Sequence, residues 1–405
     1  MAKEKIKKES KKELSFNDKL LALSEKYKTN LDVNYLDSGS IIVNMVLGGG
    51  LPLGKNIEIY SSSGYGKSTI TLSVCKALCK QGHKVLYIDA EGSINELIAS
   101  MGFYKENIVW TPENPNGNFI PIQISYFEDI EEILEQMIPK YDDKGNPISS
   151  DIRLVVIDSV AALCPKEYRG DFGEKLSIAS AKPGIVAKLM TAFCRKFNGY
   201  KTAYNMTFLY INQMRDNLSL GFGSSYEDNV PGGRALKYFM DVILKLNNRG
   251  THKEKVENTL GEIQEVETER EVDIKAVKNK ITDGNVGFPL QVRYGIGISN
   301  IAAMPYILPK KKLITTDGQE VYMVVTSGAW STLTFNYIDE KDGLTKTKSI
   351  RCNGTNQLKE AIRENYRWVY SEIKENDFRV LLDKDAEPEE DFIDNNMEEL
   401  DEPGE

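Results

Sequence analysis

The stretch NIEIYSSSGYGKSTITLSVCKALCK, residues 56–80, decides the fold of the chain. Its first six residues form a short apolar run that is typical of a buried strand, and a helical pattern covers 67–81. Between them, Gly64 and Gly66 permit the tight backbone turn that joins a strand directly to a helix. The stretch therefore predicts a strand, loop and helix unit of a parallel sheet.

The turn fits the phosphate-loop pattern GxxxxGK[ST], except that Ser61 replaces the first glycine. The backbone N–H groups of such a turn converge on phosphate oxygens, at a helix N-terminus whose dipole favours anions. Lys67 would reach the β- and γ-phosphates, and the Ser68 hydroxyl would coordinate Mg²⁺. A serine- and glycine-rich turn with a chance lysine is the alternative. The predicted phosphate-binding residues are Ser61, Ser62, Ser63, Gly64, Tyr65, Gly66, Lys67, Ser68 and Thr69.

Further short β-branched runs alternate with helical patterns across residues 56–298. Continuous apolar strands separated by helices are typical of a mostly parallel sheet that is covered on both faces. The chain is therefore predicted to have an α/β core. The predicted strands are 56–61, 84–90, 153–159, 207–213, 241–247 and 272–278, and the predicted helices are 67–81, 126–138 and 184–197.

Two of these strands lead into carboxylates. Asp158 follows a run of apolar residues and would hold Mg²⁺, directly or through a water, in a nucleotide site. An Asp that only caps the next element is the alternative. Glu91 follows the strand at 84–90 and is placed to activate a water for attack on a γ-phosphate. The other interpretation makes Glu91 a helix cap and Asp89 a buried acceptor, and the pattern alone does not separate the two.

The chain is predicted to have four parts. The N-terminal arm contains an amphipathic helix over 16–28, whose apolar face must pack on another surface. The small C-terminal unit carries one helix with Leu358, Ile362, Tyr366 and Val369. The parts are the arm at 1–35, the core at 36–299, a small α+β unit at 300–378 and an acidic disordered tail at 379–405.

Composition excludes several classes of protein. Of the 405 residues, 41% are hydrophobic and 27% charged, which excludes collagen-like and wholly disordered chains. No apolar stretch approaches the roughly 18 residues that a membrane-spanning helix needs. No signal-peptide core follows the charged N-terminus, so we expect a cytoplasmic protein. The cysteines show no metal-ligand spacing, and we expect them to be reduced and mostly buried.

Negative charge is concentrated at the C-terminus. Residues 383–405 hold 12 of the 60 acidic and one of the 51 basic residues, which leaves 48 acidic and 50 basic residues elsewhere. An acidic tail beside a near-neutral body is compatible with a polyanion-binding protein whose tail competes for the same surface. A solvated tail that only keeps the protein soluble is the alternative.

Collinear segments of the chain resemble the RecA-type recombinases, the RecA/UvsX family, to which large phages contribute divergent members. The resemblance runs from about residue 36 to residue 335, and it implies ATP and Mg²⁺ as cofactors. The segments are DSGSIIVNMVLGGGLPLGKNIEIYSSSGYGKST (37–69), YIDAEG (87–92), LVVIDSVAALCPK (154–166), FLYINQMR (208–215), PGGRALKY (231–238), VKNK (277–280) and SGAW (327–330).

The resemblance implies roles for individual residues. Glu91 matches the catalytic base, and Asp158 matches the metal-associated carboxylate. Gln213 matches the glutamine that senses the γ-phosphate and leads into a DNA-binding loop, and an amide can exchange one hydrogen bond for another to move that loop. Lys278 and Lys280 match two lysines that reach the ATP of the neighbouring subunit. Without the resemblance, these lysines would be interpreted as part of a solvated strand edge. The match to the phosphate loop covers Lys67, Ser68 and Thr69.

Two polar, glycine-bearing segments, 166–183 and 214–233, follow strand ends and interrupt the alternation. Ligands bind at this edge of open parallel sheets, so both segments are candidates for function. The resemblance matches 166–183 and 214–231 to the two DNA-binding loops of the family. Phe222 would wedge between bases or pack within its own loop. The predicted DNA-binding residues are Arg169, Lys182, Arg195, Lys196, Arg215, Phe222, Gly232 and Gly233.

The resemblance implies an ATP-dependent homologous recombinase. Such a protein forms filaments on single-stranded DNA, pairs it with homologous double-stranded DNA and exchanges strands, and the helix at 16–28 would dock on the adjacent subunit. A hexameric helicase or motor with the same core, and a non-catalytic recombination mediator, are the rival functions. The chain departs from the family near Leu97, where an aliphatic residue replaces the tyrosine that stacks on adenine, and in a longer first loop.

Overall fold

Two units make up the chain, Met1–Asn34 and Tyr35–Glu405. The computed structural model describes residues 33–137, 150–168, 185–214, 233–257, 263–282 and 287–374. The helix predicted over 16–28, most of the two predicted DNA-binding loops and the acidic tail lie outside the described residues. All helices and strands that the structure describes belong to the second unit.

Strands and helices alternate through the first two thirds of the second unit. The strands are β1 (Tyr35–Leu36), β2 (Leu51–Pro52), β3 (Asn56–Ser61), β4 (Lys84–Asp89), β5 (Phe119–Gln123), β6 (Ile152–Asp158), β7 (Thr207–Gln213), β8 (Val242–Glu257), β9 (Ile263–Asn279), β10 (Gly287–Arg293), β11 (Gly297–Ser299), β12 (Lys312–Ile314), β13 (Glu320–Tyr322), β14 (Val324–Ser327), β15 (Trp330–Ile338) and β16 (Thr345–Asn353). The helices are α1 (Ile41–Leu47), α2 (Lys67–Lys80), α3 (Asn95–Ser100), α4 (Phe127–Met137), α5 (Ile185–Ala203), α6 (Gly233–Phe239), α7 (Met304–Ile307), α8 (Gly354–Glu364) and α9 (Tyr366–Lys374).

The central sheet of the described structure has nine strands in the order β11-β10-β9-β8-β3-β7-β6-β4-β5. The six strands from β8 to β5 in that order are parallel, and β9, β10 and β11 extend one edge in antiparallel pairs. The prediction of an α/β core with a mostly parallel sheet is confirmed. β8 and β9 are longer than the strands predicted at 241–247 and 272–278, because they pair with each other as a long antiparallel ribbon.

Apolar clusters cover both faces of the sheet. Successive residues of β6 alternate between the two clusters, since Leu154 and Val156 belong to one and Val155 and Ile157 to the other. All four side chains are almost completely buried. Strands that bury both faces need continuous apolar runs, and this is the pattern that the sequence has in its predicted strands.

The chain beyond β11 forms smaller elements. β14, β15 and β16 make a three-stranded antiparallel sheet. The prediction of one helix with Leu358, Ile362, Tyr366 and Val369 is wrong in one respect, because α8 ends before Asn365 and α9 begins after it. The Asn365 side-chain amide donates to the Ala361 carbonyl at 2.8 Å and so takes up an acceptor at the helix end. The domain boundary near residue 300 stays a prediction.

Two smaller findings concern thiols and membranes. All five cysteines are free, and Cys164 is partly exposed while the other four are buried, in agreement with the sequence analysis. No helix among the described residues has the length and apolar character needed to cross a membrane.

Candidate functional site

Four neighbouring strands of the central sheet bring their carboxyl ends to one edge. Parallel pairing sets Ser61 opposite Gln213 and Asp158 opposite Asp89. The register therefore brings together residues that are 152 and 69 positions apart in the sequence. The phosphate-loop pattern leaves β3 at this edge, and Glu91 follows β4 two residues beyond its end.

The turn after β3 has the backbone that the sequence predicted. Gly64 and Gly66 have φ angles of 77° and 82°, which favour glycine, and Gly66 caps the N-terminus of α2. A Cβ atom on Gly66 would come within 3.2 Å of the Val292 side chain. Ser61 is the last residue of β3 and lies outside the left-handed region, since Asn107 and Asn205 are the non-glycine residues with positive φ in the described chain. Replacing the usual glycine by Ser61 therefore costs no backbone strain.

Lys67, at the start of α2, is only 5% exposed. Its ammonium group donates to the Ser61 carbonyl at 3.2 Å, the Ser61 hydroxyl at 3.1 Å and the Ser62 carbonyl at 2.9 Å. Burial lowers the pKa of Lys67, whereas the negative charges of Asp158 and Glu91 act in the opposite direction. A buried ammonium next to two carboxylates is ready to exchange its carbonyl partners for phosphate oxygens.

Asp158 is the last residue of β6 and is only 3% exposed. Burial raises the pKa of Asp158 to about 6, although hydrogen bonds from Tyr87 and Ser68 act in the opposite direction. The Tyr87 hydroxyl donates to Asp158 at 2.6 Å. Sequence analysis assigned no role to Tyr87, whose hydroxyl orients the carboxylate. The signal for this role in the sequence is a tyrosine within the apolar run of β4.

Glu91 and Asp89 have separate roles in the structure. Asp89 is buried and accepts hydrogen bonds from the backbone N–H groups of Gly92 at 2.8 Å and Ile94 at 3.3 Å, so it is a buried acceptor. Glu91 accepts from the Ser159 hydroxyl at 2.5 Å and the Gln213 amide at 2.8 Å. Glu91 is therefore not the cap of α3, and its carboxylate faces the same edge as Asp158.

These side chains line a cavity of about 230 Å³ at the carboxyl edge of the sheet. The structure thus brings together six of the nine predicted phosphate-loop residues, both predicted carboxylates and Gln213, whereas Ser61, Ser62 and Tyr65 do not line the cavity. It adds Tyr294, just beyond β10, which the sequence analysis missed. Leu97 is packed against the apolar core instead and is not among the residues that line the cavity. The cavity is lined by Ser63, Gly64, Gly66, Lys67, Ser68, Thr69, Glu91, Asp158, Gln213 and Tyr294.

The donor set fits a magnesium-bound nucleotide. Asp158 is a buried carboxylate of raised pKa, and a divalent cation would provide the positive charge that favours its ionised form. Mg²⁺ usually takes one or two protein oxygens and completes its octahedron with phosphates and water. Among the described residues, no group of three or more His, Cys, Asp or Glu side chains is placed to hold a metal ion. Ser68 and Asp158 are the residues that would hold the ion.

The predicted lysine pair lies at the opposite edge of the sheet, where the parallel strand β3 begins. Lys280 is one residue beyond β9, its Nζ is 4.0 Å from an oxygen of Asp241, and its N–H donates to the Asp241 carbonyl. Asp241 also accepts from the N–H of Asn56, the first residue of β3. Because the phosphate loop leaves the other end of β3, Lys278 and Lys280 are not in the cavity of their own chain. Lys278 donates to the Lys237 carbonyl, and burial lowers its pKa.

The predicted DNA-binding residues are only partly described. Arg195 is exposed on α5. Lys196 forms ion pairs with Glu131 and, at 2.6 Å, with Glu135 on α4, and its role in DNA binding stays a prediction. The backbone of Gly233 begins α6. Arg169, Lys182, Arg215, Phe222 and Gly232 lie outside the described residues.

A glycine-bearing turn between a buried strand and a helix, with a buried lysine and a carboxylate on a nearby strand end, defines the phosphate-loop class of α/β proteins. Comparison with known proteins gives the family. The family model "RecA N-terminal domain" matches residues 4–299. Three sequences named Protein RecA, from Lactococcus lactis subsp. cremoris, are each 31% identical over 317 residues, covering 78% of this chain and 70% of the relative. The chain belongs to the RecA family.

Proposed function

We propose that the chain is an ATP-dependent homologous recombinase that polymerises on single-stranded DNA, pairs it with homologous double-stranded DNA and exchanges strands. The observation that carries the proposal is the meeting of Lys67, Asp158, Glu91 and Gln213 around one cavity, in a member of the RecA family. The family alone supports the general class. The cavity supports nucleotide hydrolysis by this particular chain.

The phosphate loop and Lys67 would bind the triphosphate. The first residues of α2 line the cavity, and the N–H groups of such a helix start would bind phosphate oxygens. Lys67 would move from the Ser61 and Ser62 carbonyls to the β- and γ-phosphates. Bound Mg²⁺ supplies neutralisation of the developing phosphate charge. Ser68 and Asp158 would hold that ion, and Tyr87 keeps the Asp158 carboxylate in its orientation.

Glu91 would accept the proton of the attacking water. Ser159 and Gln213 both donate to the same Glu91 oxygen, which fixes the carboxylate before the nucleotide arrives. Gln213 is also the last residue of β7, one position before the segment at 214–231. If its amide exchanges Glu91 for the γ-phosphate, the start of that segment must move. This exchange would couple nucleotide state to DNA binding.

Lys278 and Lys280 would act on the neighbouring subunit. Their position at the far edge of the sheet suits a contact between subunits, because they cannot reach the cavity of their own chain. In a filament, each cavity would then be completed by the lysines of the next subunit. This arrangement makes hydrolysis depend on assembly, as expected of a protein that acts only on DNA.

The test is ATP hydrolysis by the full chain with and without single-stranded DNA, together with electron microscopy. We expect DNA to stimulate hydrolysis and nucleotide with DNA to produce helical filaments. The variant Lys67→Ala should lose roughly 10²–10³-fold in hydrolysis and lose strand exchange with it. Lys105→Ala, which changes an exposed lysine outside the cavity, is the matched control.

The rival functions predict other outcomes of the same experiment. A hexameric motor would form closed rings and unwind duplexes. A mediator would bind DNA or partners without turnover. Full strand exchange by Lys67→Ala would refute the assignment of the cavity.

A further inference from the structure

Two residues of β9 contact tyrosines beside the nucleotide cavity, one in the phosphate loop and one that lines the cavity. Arg270 lies over the Tyr65 ring, with 5.6 Å between the guanidinium carbon and the ring centroid. Glu267 accepts from the Arg270 guanidinium at 2.6 and 2.9 Å and from the Tyr294 hydroxyl at 2.8 Å. We call these four side chains, Tyr65, Glu267, Arg270 and Tyr294, the aromatic latch.

The Arg270 side of the latch restrains the phosphate loop. Tyr65 stands between Gly64 and Gly66, the two residues of the loop with positive φ and the greatest backbone freedom. Its ring packs against the apolar core, and the Arg270 guanidinium lies over the ring. The guanidinium also lies 3.8 Å from the position that a Cβ on Gly64 would take. Fixing the Tyr65 ring therefore limits the movement of both glycines.

The Glu267 side of the latch holds Tyr294. Tyr294 lines the cavity together with residues of the phosphate loop, and the hydrogen bond from its hydroxyl to Glu267 fixes the direction of its ring. Hydrogen bonds from Tyr294 and Arg270 lower the pKa of Glu267, with the positive charge of Lys253 on β8 acting in the same direction. Glu267 is thus an anion that serves two partners at once.

The latch also joins the cavity to the ribbon that β8 and β9 form. β10 pairs with β9 only over Glu269–Lys275, so Glu267 belongs to the part of β9 that pairs with β8 alone. Arg270 is inside the three-stranded part, opposite Val292. The backbone N–H of Tyr294 donates to the Thr268 carbonyl at 3.1 Å, so the backbone of Tyr294 is held beside Glu267 on β9.

We propose that Glu267 and Arg270 are positioning residues that hold Tyr294 and the phosphate loop in the conformation that binds a nucleoside triphosphate. They set the affinity for nucleotide and not the rate of the chemical step, because neither lines the cavity. This inference rests on the proposed function of the cavity. It assigns a role to a segment of β9 that the hydrolytic groups do not use.

The test measures ATP binding by calorimetry and the KM and kcat of DNA-stimulated hydrolysis. We expect Glu267→Ala to raise KM and the ATP Kd about tenfold, since it removes a charged partner from two groups, with kcat within about twofold. Tyr294→Phe keeps the ring and loses only the hydroxyl bond, and should raise KM about threefold. Arg270→Lys keeps the charge but loses the planar contact, and should behave like Arg270→Ala.

A double variant tests whether Glu267 and Tyr294 act on ATP binding through their shared hydrogen bond or independently of each other. Glu267→Ala with Tyr294→Phe should be no weaker in ATP binding than Glu267→Ala alone, because both changes remove the same bond. Glu265→Ala, two residues away on the exposed ribbon, is the matched control and should leave KM unchanged.

Three results would overturn the proposal that the aromatic latch sets the affinity for nucleotide. One is an unchanged KM in folded Glu267→Ala and Arg270→Ala proteins. Another is a fall in kcat and in thermal midpoint with KM unchanged, which would mean a structural role only. The third is full additivity of Glu267→Ala and Tyr294→Phe. If the unmodified chain and Glu265→Ala bind no ATP at all, the proposed function fails first and the latch with it.

Discussion

The two edges of the central sheet, at the carboxyl ends and at the starts of its parallel strands, differ in how many groups of a nucleotide site they bring together within one chain. At the carboxyl edge, a buried lysine, a buried carboxylate and a partnered glutamate share one cavity within a single chain. At the opposite edge, Lys278 and Lys280 stand near Asp241 and line no part of that cavity. The first edge holds its charges in place by internal hydrogen bonds, as a site that must be preorganised does. The second offers two lysines, to which the proposed function gives a role on a neighbouring subunit.

Replacing the proposed base Glu91, at the carboxyl edge of the sheet, should have the largest effect on hydrolysis. Glu91→Gln keeps an acceptor for Ser159 and Gln213 but cannot take a proton, so hydrolysis should fall by roughly 10²–10⁴-fold. ATP binding and DNA binding should persist, because the loop and Lys67 are untouched. Single-turnover hydrolysis and calorimetry on the same protein would check this. Wild-type hydrolysis by Glu91→Gln would remove the base from the proposed site.

Changing the opposite edge should give a smaller, assembly-dependent loss. Lys280→Ala should lower DNA-stimulated hydrolysis by about tenfold to a hundredfold, through lost stabilisation of phosphate charge, while ATP binding without DNA stays normal. Mixing Lys280→Ala with Lys67→Ala should restore part of the activity, since a cavity with intact Lys67 can then meet an intact Lys280 from its neighbour. Absence of any recovery in the mixture would mean that the two edges do not meet.

The buried carboxylate gives a pH-dependent effect of intermediate size. Burial raises the folded-state pKa of Asp158 to about 6 from its ordinary 3.8, so the folded protein holds this proton more tightly than the unfolded chain. The stabilisation from this group is complete below a pH of about 4 and is lost as the pH rises through about 6, by roughly 3 kcal/mol in total.

Asp158→Asn should remove that loss, which thermal unfolding between pH 4 and 7 without nucleotide would show. The exposed Asp151→Asn is the control and should follow the unmodified chain. An identical pH dependence in Asp158→Asn and the unmodified chain would contradict the assignment.

The smallest effect is expected at Ser61. Ser61→Gly restores the residue of the general phosphate-loop pattern but adds unfolded-state freedom in a strand, at a cost of about 0.5–1 kcal/mol in unfolding free energy. It also removes one of the three acceptors of Lys67. ATP affinity should change less than about twofold, because Ser61 already has strand geometry. Calorimetric titration and chemical denaturation would test both numbers, and a large gain in affinity would show that the serine strains the loop.

Whether a feature could be predicted from the sequence depended on whether it is set by neighbouring residues or by residues far apart in the chain. The strand, turn and helix at 56–80 could be predicted because apolar runs and glycine positions are local signals. The helix break at Asn365 could not, since its apolar spacing continues through the break. The length of β8 and β9 was also missed, because their outer residues are polar and are held as strands by pairing with each other.

The sequence alone determined the α/β core, the phosphate loop and the carboxylates at strand ends. These follow from periodicity and from motifs of a few residues. Only the tertiary structure decided that Glu91 shares bonds with Ser159 and Gln213, that the lysine pair lies at the far edge, and that Arg270 and Glu267 contact tyrosines beside the cavity. Such contacts depend on strand order and register, which join distant parts of the chain and leave no mark on local spacing.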